Sequence, residues 1–358
     1  MPMQSNTKTI KRQNVYIGID VHLRQWHVAI TQGGITRKPF MQDPSAEVLL
    51  NHLRKNYPDY NYYSAYEAGF CGFAIHRSLV KAGINNIVVN AADIPHSDKE
   101  RVRKTDSVDA AKISRELSKG TLKSVFIPSI QQQDDRAFLR CRQMIINDIK
   151  RTKARIRHAL HSNGIDIPKE FSSGGWPKAF ISWIENLCAQ ELKEGVAAYI
   201  TSMLETLSFQ QTNLREIETR INCLMQSEKY QKNYALLRSV PGMGDVTIHT
   251  ILLECGDLSA FSSADKFCSF IGLVPDMNQS DRHNTNCSIT RRRHKTMRYM
   301  LTECAWRAIH IDESLSRCFA RYCRNMPKTK AIIRIANKLA KIAKFVLKNQ
   351  TQYVQTDR

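Results

Sequence analysis

The sequence predicts a mixed α/β domain at the N-terminus followed by a chain that is helical to its end. Three observations carry this. Residues Asn14 to His22, NVYIGIDVH, alternate Val15, Ile17, Ile19 and Val21 with Tyr16, Gly18 and Asp20, the period-two pattern of β-branched residues on a pleated strand. Further strand-like runs continue to Asn90, with helical runs between them. From Pro128 the apolar residues fall at helical spacing for about a hundred residues.

After the first strand, Gln25 to Thr31 and Ile35 to Phe40 flank Gly33-Gly34, a hairpin whose turn uses glycine for positive φ, so three antiparallel strands open the domain. Pro44 to Tyr57 has leucines at helical spacing and stops before Pro58. Asn61 to Ala68 is the next strand region and delivers Glu67 just before Gly69. Phe70 to Lys81 reads as a helix closed by Gly83, and Asn86 to Asn90, NIVVN, as a buried strand of parallel type. Lys104 to Leu117 then places Ala110, Ala111, Ile113 and Leu117 on one helical face.

In the helical remainder, Asp134 to Asn163 is a basic amphipathic segment with Leu139, Ile146, Ile149, Ile156 and Leu160 on one side. Its Arg and Lys stripe is either the wet face of a bundle or a nucleic-acid contact. Ile200 to Leu224 runs in heptads, with Ile200, Leu207, Leu214 and Ile221 at one core position and Met203, Gln210, Ile217 and Leu224 at the other. That pattern fits a coiled coil of about four heptads, as a self-association arm or as a hairpin with the preceding helix. Leu237 to Glu254 is similar to a helix-hairpin-helix element, in which Pro241, Gly242 and Gly244 turn the chain and offer backbone amides to a phosphate. FCSFIGLVP (Phe267 to Pro275), a polar stretch from Asp276 to Cys287 and the basic run Ile289 to Arg298 lead into an apolar helix, Met300 to Ala308. The expected divisions are a basic arm (1–13), an α/β domain (14–128), a helical and coiled-coil region (129–230), a mainly α domain (231–325) and a basic C-terminal helix (326–358).

Charge narrows the function classes. Among 358 residues there are 53 Lys and Arg against 33 Asp and Glu, a net charge of +20, which implies a polyanionic partner, nucleic acid before any other. The surplus is clustered: Arg317 to Lys348 holds ten Lys or Arg and no acid. Phosphate neutralisation explains such a block better than solubility does. No apolar run reaches the length of a membrane span, and the polar, basic start lacks the apolar core of a secretory signal, so a cytoplasmic protein is expected. Ten cysteines without a CxxC pair read as reduced thiols rather than as a disulfide framework or zinc site.

Against this background four acids stand out. Asp20 is a carboxylate at the end of an apolar strand, where an unpaired charge is costly to bury. Glu67 ends a later strand, and Asp106 and Asp109, three apart, project from one side of a helix. Dipole stabilisation of a first turn explains the last two equally well when each is taken alone. Together, acids at these points of a β-hairpin-β then α/β order resemble the RNase H-like fold as used by RuvC-type nucleases. Converging carboxylates suit Mg²⁺ or Mn²⁺, hard cations that take oxygen ligands and, in pairs about 3.5–4 Å apart, need several acids to hold them.

YIGIDVH, YEAGF, KTDSVDA, SVPGMGDVTIHTILLECGDLSAF, FIGLVPDMNQS, ITRRRHKTMRYMLTECAW and PKTKAIIRIANKLA, in this order, resemble the insertion-sequence transposases related to the Piv and MooV invertases, the IS-one-ten family. The resemblance implies a DEDD metal motif on Asp20, Glu67, Asp106 and Asp109, and a serine nucleophile at Ser280 that attaches to a DNA phosphate. It implies double-stranded donor and target DNA, a structured guide RNA, and a homo-oligomer working at the bacterial nucleoid. Lys104, Arg282, Arg291, Arg292, Arg293 and Arg298 are the candidates for phosphate contacts. Two departures are visible: Asp281 replaces the glycine after the serine, and Arg293-His294 stands where the family usually has Gly-Asn.

Overall fold

The computed structural model describes residues 13–95, 105–275, 279–280, 283–284 and 289–355, the two short pairs by backbone alone. The basic arm before Gln13, and Lys104, Asp281 and Arg282, lie outside the described residues. The chain divides into two compact units, residues 1–127 and 128–358.

In the first unit β1 (Gln13–Val21) is central. It pairs antiparallel with β2 (Trp26–Gln32) and parallel with β5 (Tyr60–Glu67), which pairs parallel with β6 (Asn85–Val89). The short strands β3 (Ile35–Thr36) and β4 (Phe40–Gln42) add to β2, completing a six-stranded sheet. Gly33 and Gly34, with φ of 54° and 82°, make the predicted turn between β2 and β3.

The two faces of this sheet differ in side-chain size. On one, Val15, Ile17, Ile19, Val28 and Ile30 pack with Leu49 and Leu53 of α1 (Ala46–Asn56) and Leu79 of α2 (Ala74–Lys81). On the other, Gly18 stands opposite Ala29 on β2 and Ala65 on β5, a row without bulk. Helix α3 (Asp106–Ser118) lies against that row so closely that a Cβ on Gly18 would sit 2.1 Å from the Ala110 carbonyl oxygen and 2.4 Å from the Ser114 nitrogen. Buried hydroxyls of Thr31 and Ser114, 2.9 Å apart, pin the same contact.

Among its described residues the second unit is mainly helical, with one short ribbon. Helix α4 (Ile130–Ser162) and α6 (Glu194–Met225) run antiparallel, with α5 (Lys178–Gln190) beside them. Ile149 and Ile156 share a core with Ile200 and Leu207, while Leu139 shares one with Ile221 and Met225. The apolar seam of the α6 heptads is therefore covered within the chain by α4. Gln210, the polar break in the pattern, accepts a hydrogen bond from Thr152 at 3.1 Å. Part of the α4 basic stripe is engaged internally too: Arg136 pairs with Glu254 at 3.1 Å, Arg142 with Glu218 at 2.8 Å, and Arg157 lies over Trp176 and Phe180.

The larger core gathers α7 (Glu228–Arg238), α8 (Asp245–Cys255), α9 (Ala264–Ile271), α10 (Lys295–Ile311), α11 (Glu313–Cys323) and α12 (Lys328–Asn349). Between α9 and α10 the strands β7 (Gln279–Ser280) and β8 (His283–Asn284) pair antiparallel. The described cysteines are free thiols. Among the described residues no helix is long and apolar enough to cross a membrane.

Candidate functional site

Sheet periodicity builds the site two residues beyond the small-residue row. Residues on one strand alternate faces, so Asp20 emerges on the face that carries Gly18. His27 of β2 is its antiparallel partner, and one further step in the β1–β5 register brings Glu67 beside it. The close seat of α3 on Gly18, Ala29 and Ala65 puts the first turn of that helix over the same end of β1. His27 is buried and locks the placement, with Nδ1 3.3 Å from the Ser107 hydroxyl and Nε2 3.5 Å from Asp106 Oδ2.

Three donors converge. Asp20, His22 and Asp106 each offer a ligand atom within 4.8 Å of the other two. His22 Nε2 is 3.3 Å from both Asp20 Oδ2 and Asp106 Oδ2. Burial pushes the Asp20 carboxyl above its usual value, His22 pulls it back, and the negative charges of Asp106 and Asp109 raise it again. The half-buried carboxylate thus sits in a field that a divalent cation would relieve. Two carboxylate oxygens and an imidazole are donors suited to such an ion, Mn²⁺ accepting the nitrogen more readily than Mg²⁺.

Of the acids singled out by sequence, Asp20 and Asp106 are brought into contact range, and Asp109 reaches Asp20 through its charge. Glu67 lies exposed at the end of β5 on the same edge of the sheet, outside the tight donor group. His22 and His27 were missed. For His22 the signal was present, two residues after Asp20; His27 is set opposite Asp20 by the β1–β2 hairpin, whose turn at residues 22–25 holds no glycine, proline, Asn or Asp to mark it in the sequence.

Ser280 stands opposite His283 in the β7–β8 pair. Flanking the pair in sequence, Pro275 bridges Ile289, and the Thr290 amide donates to the Val274 carbonyl at 3.1 Å.

Two family profiles match these two regions. A profile described as transposase, of the DEDD type, covers residues 17–163, and one described as transposase of the IS116/IS110/IS902 family covers residues 234–320. The chain belongs to the IS110/IS116/IS902 transposase family. Among similar proteins, the transposase for insertion sequence element IS1533 of Leptospira borgpetersenii is 24% identical over 301 residues, 82% of this chain and 85% of that one. That for element IS1111A of Coxiella burnetii is 24% identical over 291 residues, 79% and 77% of the two chains. Protein y4qE of Sinorhizobium fredii is 25% identical over 244 residues, 68% of this chain, and the match spans 58% of its own length. The DEDD profile and the convergent donors agree on divalent-metal use.

At the Arg293-His294 pair the structure gives the histidine a definite role: His294 is the N-cap of α10, and its Nδ1 accepts the Met297 amide at 3.2 Å. That is the hydrogen bond an Asn side chain makes at the same position. Gly272 fits against the neighbouring Arg293: its φ is 86°, and a Cβ there would come 2.4 Å from the Arg293 Cβ.

The two glycines of the PGMG turn do different things. Gly242, with φ 78°, packs on α10, where a Cβ would sit 2.3 Å from the Cys304 carbonyl oxygen. Gly244 caps α8 and faces open space, but the first residue of that helix, Asp245, already takes a hydrogen bond from Tyr234 at 2.7 Å and an ion pair from Arg238 at 3.2 Å. Both glycines line a cleft of about 850 Å³ with Arg238 and Arg307. Arg291, Arg292 and Arg293 are exposed, whereas the Arg298 guanidinium donates to two backbone carbonyls.

Proposed function

We propose that this chain cuts and rejoins DNA as the transposase of an insertion sequence, through a covalent bond between Ser280 and a DNA phosphate. The observation that carries the reading is the meeting of Asp20, His22 and Asp106 at one end of the central strand, in a chain whose later part matches the family over the residues around Ser280. Asp20, Glu67, Asp106 and Asp109, with His22 beside the first and third, would hold Mg²⁺ or Mn²⁺, which would supply Lewis-acid stabilisation of charge on the phosphoryl oxygens. In the cleavage step the Ser280 oxygen bonds to phosphorus and its proton passes to a base. The bond from phosphorus to the 3′ oxygen breaks, and that oxygen leaves with the electron pair and takes up a proton. Attack by another 3′ hydroxyl reverses the exchange and frees the serine, so rejoining needs no external energy source.

The partners in this reading are double-stranded donor and target DNA and a structured guide RNA. A net charge of +20 and the exposed run Arg291 to Arg293 support polyanion binding. The reading places the protein in the bacterial cytoplasm at the nucleoid, as a dimer or tetramer in which Asp20 and Ser280 of different copies combine. Incubation with Mg²⁺ and cognate DNA followed by denaturation tests it. Protein attached to DNA, absent in Ser280→Ala and in EDTA, is the expected result; free cut ends without attachment would identify a junction-resolving nuclease instead. Sequencing of RNA that copurifies with the protein tests the guide, and strand transfer by mixed Ser280→Ala and Asp20→Ala proteins tests sharing between copies.

A further inference from the structure

The β7–β8 ribbon that bears Ser280 lies in the chain between α9 and α10. A lone two-stranded ribbon is marginally stable in water, so its direction depends on how its base is held. Here the base is held carbonyl by carbonyl. The Phe270 carbonyl accepts from the His294 amide at 3.2 Å, and the Val274 carbonyl from the Thr290 amide at 3.1 Å. Between them, the Gly272 carbonyl accepts from Arg298 Nη1 at 3.1 Å and the Leu273 carbonyl from Asn337 Nδ2 at 2.9 Å. Arg298 Nη1 also donates to the Thr290 carbonyl at 2.9 Å, so one nitrogen ties the outgoing strand to the returning one.

These two side chains come from different helices, α10 and α12, and act on adjacent carbonyls. Neither contact follows from local sequence. Arg298 closes a basic run and reads there as a phosphate contact, yet it is half-buried and its Nη1 is shared between two main-chain oxygens. Asn337 lies in the most basic stretch of the chain but is neutral, so its donation to Leu273 owes nothing to charge.

We propose that Arg298 and Asn337 are positioning residues, which orient the ribbon that presents Ser280 by fixing the carbonyls of Gly272, Leu273 and Thr290. This rests on the reading of Ser280 as nucleophile. Displacement at phosphorus needs the attacking oxygen in line with the leaving one, and a misplacement of about 1 Å costs on the order of a hundredfold in rate. Loosening the base therefore slows attack without weakening the grip on DNA.

The test uses the full chain with Arg298→Met and Asn337→Ala, beside wild type and Ser280→Ala, with melting curves to confirm folding. Backbone hydrogen exchange of the Thr290 amide, DNA affinity as a function of salt, and the single-turnover rate of covalent attachment at saturating DNA are measured. Both variants are expected to exchange Thr290 at least about tenfold faster and to attach about 10- to 100-fold more slowly. DNA affinity and its salt slope stay as in wild type. If Arg298→Met lowers affinity and reduces the salt slope by about one while Asn337→Ala is silent, Arg298 is a phosphate contact and the proposal is wrong. Unchanged exchange at Thr290 also overturns it. Should Arg298→Met fail to fold, Asn337→Ala and Arg298→Lys carry the same comparison. If Ser280→Ala still attaches to DNA, the nucleophile reading falls by itself, and faster exchange with unchanged DNA affinity then decides whether the anchoring stands.

Discussion

Helices α3 and α8 both begin with aspartate, and their first turns look alike on paper. In α8 the Asp245 carboxylate is matched by the protein's own groups, the Tyr234 hydroxyl and the Arg238 guanidinium. In α3 the Asp106 carboxylate meets Asp20, with imidazoles of His22 and His27 as its ion-pair partners, and these carry charge only when protonated. The first acid completes a helix end; the second crowds another acid and calls for a cation from outside. What separates them is the element that each helix is pressed against. A sheet edge carrying Asp20 lies under α3, and a tyrosine and arginine of the preceding helix lie beside α8.

Removing one acid from each turn sharpens this contrast most. Asp20→Asn is expected to lower DNA cleavage by about a thousandfold or more and to weaken Mn²⁺ binding in calorimetry, because a ligand and its charge are both lost. Asp245→Asn should leave cleavage and metal affinity as they are. It should cost only about 0.5–1 kcal/mol of stability in denaturant titration, since the pair is largely exposed. Equal loss of cleavage in the two variants would break the comparison.

Next in size is Gly18→Ala. A methyl placed 2.1 Å from the Ala110 carbonyl oxygen forces α3 off the sheet. About 1–3 kcal/mol of stability should be lost, together with Mn²⁺ affinity, although Gly18 is no ligand. Retained affinity would show that the carboxylates converge without the close seat of the helix. A smaller effect is expected from His22→Ala, roughly tenfold in Mn²⁺ affinity and less in Mg²⁺ affinity, because the imidazole nitrogen suits the softer ion.

The smallest effect concerns the cap of α10. Burial holds the His294 imidazole below its usual pKa of 6.5, and its Nδ1 must be unprotonated to accept the Met297 amide. The unfolded chain then binds a proton that the folded chain refuses, so stability falls as pH drops below about 6.5 and levels off beneath the folded value. In His294→Asn, which keeps the cap without a titrating group, the melting temperature should fall less between pH 7 and pH 5. Buried His249 is also shifted down and accounts for a residual slope.

Much of this site was legible in the chain itself. Period-two alternation located β1 and put Asp20 at its end, and the i, i+3 spacing put Asp106 and Asp109 on one side of a helix. What was not legible is pairing. His27 looked like one residue of an apolar strand until its register set it opposite Asp20, and Arg298 looked like the end of a basic run until Gly272 and Thr290 folded under it. The same holds for the α6 heptads, whose pattern suits a partner from another chain as well as from its own; in the fold, α4 of the same chain lies antiparallel along them.

Ser280 stood out only through the resemblance to a family, whereas sequence alone marked the acids, the basic blocks and the alternation that makes β1 a strand. Those follow from local rules, because periodicity and side-chain chemistry are carried by neighbours along the chain. Tertiary structure decided which of them meet. The row of Gly18, Ala29 and Ala65 comes from three strands, and only their register creates the flat patch on which α3 can settle. Proximity between distant segments is a property of packing, and packing depends on the sizes of side chains that never touch in sequence.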